Sequence, residues 1–287
     1  MDRMPTIVFS DMDGTFLTTD KRISDIAWRA LDALAQRGIP FVPCTGRPMS
    51  GLPAELLAHP AVHHAISANG ASVFELDGSG GDIDDAHLIH SVPLGAERAL
   101  AVWDIVRGRD ATFDIFAGGR TYLARALFDR LPDIIPDKAT LKLIQQVRTP
   151  VDESPEQTIA RVGEIERVGI YWHRERDRDE IAEGLRTVPG IVVTRSHPTN
   201  IEIMAEGATK GTALAWLCNH LGIDARGALA FGDSLNDIPM LEAAGAGVAV
   251  GNAEPEVRAA ADLVVAANDE DGAAREIIAR LSGDTTA

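Results

Sequence analysis

The stretch that decides the fold is IVFSDMDGT, residues 7–15 of the 287-residue chain. Its apolar start, residues 7–9, is typical of a short strand that is buried on both faces. Asp11 and Asp13 follow directly, at the carboxyl end of that predicted strand, where open α/β sheets bind their ligands. Residues two apart also point to the same side of an extended chain. The pattern indicates a candidate site, although a plain turn that uses Asp and Gly for their backbone preferences has the same composition.

Strands and helices alternate on both sides of the central part of the chain. Ser24 is a candidate cap for an amphipathic helix, and a second buried strand is predicted at residues 39–42. The C-terminal region predicts strands at residues 228–231, 247–250 and 263–266, and helices at residues 211–221, 238–243, 254–260 and 272–281. This alternation predicts an α/β fold with a Rossmann-like parallel sheet and helices on both of its faces.

The central region has a different pattern, in which turn signals separate short extended runs. Hairpins are predicted around Asn69-Gly70, Gly118-Gly119 and residues 197–199, with helices at residues 96–106, 155–163 and 179–187. A stretch rich in Gly and Asp, residues 77–85, is a predicted linker. We therefore predict a core domain formed by residues 1–84 and 205–287, with an inserted α+β domain at residues 85–204.

Composition limits the partners of the chain. Its 27 Lys and Arg against 43 Asp and Glu give a formal charge of −16, which argues against nucleic acid and anionic membranes as partners. An anionic small molecule stays compatible, since a metal ion and one lysine can reverse the potential locally. No apolar run approaches the roughly 20 residues of a membrane helix, and the polar start does not match a secretory signal. With two distant cysteines, expected to be buried and reduced, the chain is predicted to be cytoplasmic.

Two further segments carry groups that could bind an anion. Thr45, Gly46 and Arg47 close the second predicted strand, and a hydroxyl and backbone N–H groups there could hold phosphate oxygens, although a plain strand-to-helix turn explains them equally. Lys210 stands at the start of a predicted helix, where the helix dipole disfavours a cation. An anion held between the lysine and the helix end would explain it, and a solvated surface lysine is the alternative.

A second acidic segment, FGDSLND at residues 231–237, follows another predicted strand. It places Asp233, Asn236 and Asp237 at the sheet edge that also receives Asp11 and Asp13. Such a cluster of carboxylates is repulsive unless a cation fills it. Hard oxygen ligands with open positions for water suit Mg²⁺.

In this order, the four segments resemble the motifs of the haloacid dehalogenase (HAD) superfamily. The match runs over nearly the whole chain, and the large insert between the second and third motifs resembles the Cof-type subfamily with its C2B cap. The dehalogenases of the superfamily lack the second acid of the first motif, which is present here as Asp13. The resemblance therefore implies phosphoryl transfer rather than dehalogenation.

The resemblance also implies roles for the acids. Asp11 would attack phosphorus and form an aspartyl-phosphate. Asp13 would protonate the leaving oxygen and then activate water for the second step. Mg²⁺ would be held by the carboxylates of Asp11 and Asp233 and by the backbone carbonyl of Asp13. Asp237 would orient Lys210 and a water ligand of the metal.

Substrate binding is assigned by the same resemblance. Thr45 and Lys210 would hold the remaining phosphoryl oxygens, with the help of Gly46 and Asn236. Arg47 is also a candidate substrate-binding residue. The inserted domain would close over the site and exclude bulk water. In its last predicted hairpin, Asn200 and Glu202 are candidate contacts for a sugar leaving group, with a turn residue and an exposed strand residue as the alternative interpretation.

The expected function is that of a Mg²⁺-dependent hydrolase acting on a small phosphorylated metabolite, most simply a sugar phosphate. A phosphohexomutase is the first alternative, and would need basic cap residues such as Arg120, Arg125 and Lys142 to grip a second anion. A phospho-accepting receiver module is the second, although such modules need only about 120 residues and have no use for a large insert. No residue pattern indicates an oligomeric state.

Overall fold

The computed structural model describes residues 4–77, 85–135, 138–196 and 198–283. It divides into two compact units, which are treated separately below. The first unit contains residues 1–46, 52–90 and 209–287, and the second contains residues 47–51 and 91–208. The predicted domain boundaries at residues 84/85 and 204/205 stay a prediction. Within the described residues, no helix has both the length and the apolar character needed to cross a membrane.

The chain starts with the predicted strand, helix and strand, and a short helix and three further strands follow. In order they are β1 (Ile7–Ser10), α1 (Asp25–Ala35), β2 (Phe41–Pro43), α2 (Ala54–Leu57), β3 (His64–Ser67), β4 (Ser72–Leu76) and β5 (Ala86–Ser91). The hydroxyl of Ser24 accepts a hydrogen bond from the N–H of Ala27, so the predicted cap of α1 is confirmed. Residues 78–84, most of the predicted linker, lie outside the described residues.

The middle of the chain is richer in short elements than the sequence predicts. In order they are α3 (Ala96–Val106), β6 (Asp114–Ala117), β7 (Arg120–Ala124), α4 (Arg125–Phe128), α5 (Leu131–Ile134), α6 (Lys138–Val147), β8 (Arg148–Val151), α7 (Pro155–Val162), β9 (Arg167–Tyr171), α8 (Glu175–Leu185), β10 (Ile191–Thr194) and β11 (Asn200–Ala205). Helix α8 starts four residues before the predicted start at residue 179. Its first turn is highly charged and contains no apolar residue, so the apolar periodicity begins only after it.

The C-terminal part returns to regular alternation. In order its elements are α9 (Lys210–His220), β12 (Ala228–Gly232), α10 (Ile238–Ala243), β13 (Ala246–Ala249), α11 (Pro255–Ala260), β14 (Leu263–Val264) and α12 (Gly272–Ser282). Each predicted helix and strand of this region is present, with ends that differ by at most two residues.

The first unit is built on a parallel sheet with the strand order β14-β13-β12-β1-β2. Strand β1 lies between β12 and β2, and Phe9 is in register with Ala230 on one side and Val42 on the other. All four residues of β1 are buried, which explains its short and almost entirely apolar sequence. The prediction of a Rossmann-like parallel sheet is confirmed.

The second unit contains a mixed sheet with the order β10-β11-β9-β6-β7-β8. Gly118 and Gly119 connect β6 to the antiparallel β7 with φ values of 58° and 69°, the left-handed conformation that a two-residue hairpin turn requires. Apolar residues of α3, α7 and α8 pack on one face of this sheet, among them Val102, Ile159 and Ile181. The prediction of an inserted α+β fold is therefore confirmed.

Candidate active site

The carboxyl ends of β1, β2 and β12 bring the predicted motifs of the first unit to one edge of the parallel sheet. The N–H of Asp11 donates to the carbonyl of Phe231 at 2.9 Å, and the N–H of Cys44 donates to the carbonyl of Ser10 at 2.8 Å. These bonds fix where each strand ends. Asp11 and Thr45 are then buried at neighbouring positions of the sheet edge.

Lys210 is fully buried, so the alternative of a solvated surface lysine is wrong. Its Nζ donates to Oδ1 of Asp11 at 2.6 Å and to Oδ1 of Asp237 at 2.5 Å. Burial alone would lower the pKa of Lys210, but the two carboxylates raise it above its usual value, and the ammonium stays charged. Burial raises the pKa of Asp11 well above its usual value, against the opposing effect of Lys210.

Asp237 is oriented by the backbone at the start of its own segment. Its Oδ2 accepts hydrogen bonds from the N–H groups of Asp233 and Ser234, both at 3.0 Å. A Cβ on Gly232 would lie 2.4 Å from the Cβ of Asp237, so only glycine fits beside this carboxylate. Both carboxylate oxygens of Asp237 are thus engaged, one by Lys210 and one by the backbone. This geometry suits a residue that orients Lys210.

The carboxylates of Asp11, Asp233 and Asp237 offer oxygens that all lie within 4.8 Å of one another. Three carboxylates against the one ammonium of Lys210 leave a formal excess of two negative charges, which a divalent cation would balance. Asp233 accepts from Thr15 Oγ1 at 2.7 Å and from Ser234 Oγ at 3.1 Å. Burial, with a contribution from Asp237, raises its pKa to about 6. A buried, oxygen-only set of this kind fits a hard cation such as Mg²⁺.

Asp13 lies two residues after Asp11, and its carboxylate faces another part of the first unit. Its Oδ1 is 2.9 Å from Nζ of Lys21, a residue that the sequence did not mark. Gly14 directly follows Asp13 and has φ +88°. A Cβ at this position would lie 2.8 Å from Oδ2 of Asp233. Glycine at position 14 therefore lets the backbone pass close to Asp233.

The predicted phosphate-binding residues of the first unit are connected through Asn69, a residue of a predicted hairpin turn to which the sequence assigned no role in the site. Thr45 donates its N–H to Ile66 and accepts from the N–H of Asn69 at 3.0 Å. Asn236 donates from Nδ2 to Oδ1 of Asn69 at 2.9 Å. Asn236 Oδ1 is buried and has no hydrogen-bond partner among the described residues. Asn69 has φ +60°, which the Asn-Gly signal could have suggested.

The other predicted substrate residues belong to the second unit. Nη1 of Arg47 donates to the carbonyl of Gly51 at 2.7 Å. Asn200 and Glu202 lie on β11 and are both buried, so their interpretation as a turn residue and an exposed strand residue is wrong. Nη1 of Arg167 lies 2.5 Å from Oε1 of Glu202, which also accepts from Asn200 Nδ2 at 3.2 Å.

Known proteins resemble this chain over nearly its whole length. The family model for haloacid dehalogenase-like hydrolases matches residues 8–277. The 5-amino-6-(5-phospho-D-ribitylamino)uracil phosphatase YcsE of Bacillus subtilis is 30% identical over 271 residues, 94% of each chain. The HMP-PP phosphatase of Escherichia fergusonii is 28% identical over 260 residues, 89% of this chain and 88% of that one. The solved structure of the HAD subclass IIB sugar phosphatase BT4131 is 25% identical, with a TM-score of 0.77 over 95% of this chain and 98% of that chain.

These matches agree with the α/β core, the inserted mixed sheet and the acidic cluster described above. They confirm the expectation of a phosphatase and leave no ground for the receiver alternative. The chain belongs to the haloacid dehalogenase-like hydrolases, and within them it is a phosphoric monoester hydrolase of subfamily IIB (Cof-type) with a C2B cap.

Proposed function

We propose that the protein is a Mg²⁺-dependent phosphatase that hydrolyses small sugar phosphates through an aspartyl-phosphate on Asp11. The observation that carries this proposal is the contact of Asp11, at the end of β1, with the buried Lys210 at 2.6 Å. Asp233, at the end of β12, lies beside them. A carboxylate held there by a fixed cation is suited to nucleophilic attack on phosphorus. The three relatives are named for different substrates, and the sugar phosphatase among them supports the choice of sugars.

In the first step, a carboxylate oxygen of Asp11 forms a bond to phosphorus while the bond from phosphorus to the leaving oxygen breaks. The leaving oxygen takes a proton from the carboxyl group of Asp13 and departs as an alcohol. Lys210 lies against Asp11 and carries the positive charge that faces the transferred group. Asp237, held by two backbone N–H groups, keeps Lys210 in place.

In the second step, water attacks the phosphorus of the aspartyl-phosphate and gives a proton to Asp13. The bond between phosphorus and Asp11 breaks, which releases inorganic phosphate and restores the free carboxylate. Thr45, Gly46 and Asn236 are proposed to hold phosphoryl oxygens. Nδ2 of Asn236 carries two N–H groups; one donates to Asn69, and the second could donate to a phosphoryl oxygen.

We assign the metal to the carboxylates of Asp11 and Asp233 and the backbone carbonyl of Asp13. Asp237 is held by the buried Lys210 and by two backbone N–H groups, which cannot turn away. The carboxylate of Asp233 accepts only from hydroxyl groups among the described residues, and these can rotate, which favours Asp11 and Asp233 as ligands. When bound, Mg²⁺ would neutralise charge on the phosphoryl oxygens, so that one anion can approach another.

The second unit is proposed to act as the cap that selects the leaving group, with Arg47, Asn200 and Glu202 as its substrate contacts. Because Glu202 is ion-paired with Arg167, it would act as a fixed hydrogen-bond acceptor rather than as a free charge. Arg125, proposed for the mutase alternative, lies 2.6 Å from Asp152, and no observation favours that alternative. We place the enzyme in the cytoplasm, which fits the two buried free thiols.

The test compares the wild-type protein with Asp11→Asn on a panel of sugar monophosphates, nucleotides and cofactor phosphates with Mg²⁺. We expect the highest kcat/KM on a sugar monophosphate, and a loss of at least roughly a thousandfold in Asp11→Asn because an amide cannot attack phosphorus. Acid quenching during turnover of ³²P-labelled substrate should leave label on the wild-type protein and none on Asp11→Asn.

Asp20→Asn is the matched control, since Asp20 is an exposed acid of the same region, whose ion pair is with Arg22 at 3.5 Å. It should keep wild-type turnover and labelling. If Asp11→Asn kept even a tenth of the turnover, the covalent mechanism would be wrong. A clear preference for nucleotides or cofactor phosphates would instead overturn the choice of sugars and leave the mechanism intact.

A further inference from the structure

Lys21 forms an ion pair with Asp13 that fold stability does not explain. Nζ of Lys21 lies 2.9 Å from Oδ1 of Asp13, and the two side chains are 39% and 29% exposed. Ion pairs with this much exposure contribute only about 0–1 kcal/mol to folding. The contact therefore has little value as a stabilising interaction, while one of its partners is the proposed acid and base of the reaction.

The backbone of Lys21 is unusual for a lysine. Its φ of +62° lies in the left-handed region, which costs a non-glycine residue about 1–2 kcal/mol. Hydrogen bonds hold it there: the N–H of Lys21 donates to the carbonyl of Thr18 at 2.8 Å, and the N–H of Thr18 donates to the carbonyl of Arg22 at 3.0 Å. A strained backbone of this kind, held by its surroundings, is found most often at functional sites.

The turn at residues 18–22, which carries Lys21, is attached to the C-terminal segment of the same unit. The N–H and the hydroxyl of Thr19 both donate to the carboxylate of Asp269, each at 2.7 Å. Nδ2 of Asn268 donates to the carbonyl of Leu17 at 3.0 Å. The turn is therefore fixed to the C-terminal segment through the residues that precede Lys21.

We propose that Lys21 is a positioning residue for Asp13. Its ammonium contacts Oδ1 of Asp13 and thereby fixes the orientation of the carboxyl group for proton exchange with the leaving oxygen of the substrate. Lys21 acts through Asp13 and needs no contact with the substrate. The inference rests on the proposed function, because it assumes that Asp13 is the acid of the first step.

The proposal makes a distinctive kinetic prediction. The value of kcat/KM reports the steps up to cleavage of the bond to the leaving group, so hydrolysis of the aspartyl-phosphate does not enter it. A poor leaving group such as phenolate needs a well-placed acid, whereas p-nitrophenolate departs without one. Misplacing Asp13 should therefore make kcat/KM depend more steeply on the acidity of the leaving group, which general damage to the fold would not do.

The experiment measures kcat/KM with Mg²⁺ for a series of substituted phenyl phosphates, from phenyl to p-nitrophenyl. For Lys21→Met we expect a loss of about tenfold on phenyl phosphate and less than about threefold on p-nitrophenyl phosphate, as for a general acid that is present but misplaced. Lys21→Arg, which keeps a cation, should restore most of the loss on phenyl phosphate. Lys21→Gly removes the amine and relieves the backbone strain, so it should show the same selective loss while folding at least as well.

Arg22→Met is the matched control, since this neighbouring cation contacts Asp20 and is 76% exposed. It should keep the wild-type dependence on the leaving group. Equal losses on all phenyl phosphates in Lys21→Met, no loss on any, or the same selective loss in Arg22→Met would each overturn the proposal. Asp13→Asn distinguishes a failure of the proposed function from a failure of the proposal for Lys21. If this variant lacks the selective loss on poor leaving groups, Asp13 is not the acid, and the role of Lys21 fails with it.

Discussion

At the scale of single residues, two lysines of the first unit show how burial determines the contribution of an ion pair to folding stability. Lys210 is fully buried between Asp11 and Asp237, and removing one member of such a buried pair typically costs about 3–5 kcal/mol. Lys21 is partly exposed, and its ion pair with Asp13 contributes little to folding. We therefore expect a change at Lys210 to lower both stability and activity, and a change at Lys21 to leave stability almost unchanged.

His64 gives a prediction for the pH dependence of stability. Its side chain is buried on β3, and Nδ1 has no hydrogen-bond partner in the described part of the chain. Burial lowers the pKa of His64 below its usual 6.5, against the opposing effect of Glu75. The unfolded chain therefore binds the proton more tightly, and this contribution to stability is complete above about pH 6.5 and is lost as the pH falls further.

Urea unfolding at pH 7.5, 6.5 and 5.5 tests this prediction. Between pH 7.5 and 5.5, the free energy of unfolding of the wild-type protein should fall more than that of His64→Gln, by on the order of 1 kcal/mol. Taking the difference removes the contributions of other groups, such as Asp233, whose raised pKa acts in the opposite direction. The exposed His87 supplies the control His87→Gln, which should follow the wild type. Parallel pH curves for His64→Gln and the wild type would contradict the assignment.

At the scale of elements, the turn between β3 and β4 is predicted to tolerate only glycine at position 70. Gly70 has φ +94°, and a Cβ there would lie 2.1 Å from the carbonyl oxygen of Thr209, directly before α9. Gly70→Ala would have to move the start of the helix that carries Lys210. We expect a loss of at least about 2–3 kcal/mol in the free energy of unfolding, since steric overlap adds to the left-handed backbone.

Gly38→Ala is the matched control for this prediction. Gly38 also has a positive φ, +65°, but a Cβ there meets no atom within 4 Å. It should cost only about 1 kcal/mol, the cost of the left-handed backbone alone. Equal losses in the two variants, measured by urea unfolding, would show that the contact between the turn and α9 does not matter.

The elements also show what a sequence can reveal. Regular alternation and side-chain caps predicted the parallel sheet and α1, because these signals are local. Helices α4, α5 and α6 and the strands β8 and β9 were missed. All of these except the ten-residue α6 contain too few residues to show a period. Strand β9 is fully buried although it begins with Arg167, whose partner Glu202 is far along the chain. Such tertiary pairing leaves no local signal.

The candidate site also combines features that local sequence signals predict with features that only tertiary contacts determine. Asp11, Asp13, Asp233 and Asp237 are recognisable because they follow strands whose carboxyl ends meet at one edge of the sheet. The burial of Lys210 and the contact between Lys21 and Asp13 depend on how distant segments meet, and the sequence indicated neither. Asn69 stood in a recognised turn, but its contact with Asn236 spans 167 positions.

At the scale of the whole molecule, the acidic cluster should couple metal binding to the stability of the first unit. Asp11, Asp233 and Asp237 belong to that unit, and a cation that binds only the folded cluster stabilises it by about 2.7 kcal/mol at 100 times its Kd. In calorimetry, Mg²⁺ added to EDTA-treated protein should raise the Tm of at least one transition, and further chelator should reverse the rise. Asp233→Asn removes a charged ligand and should abolish most of the Tm increase, whereas the exposed Asp20→Asn should keep it. An equal Tm increase in both variants would mean that Mg²⁺ binds elsewhere, and that the cluster at the end of β1 is not the metal site.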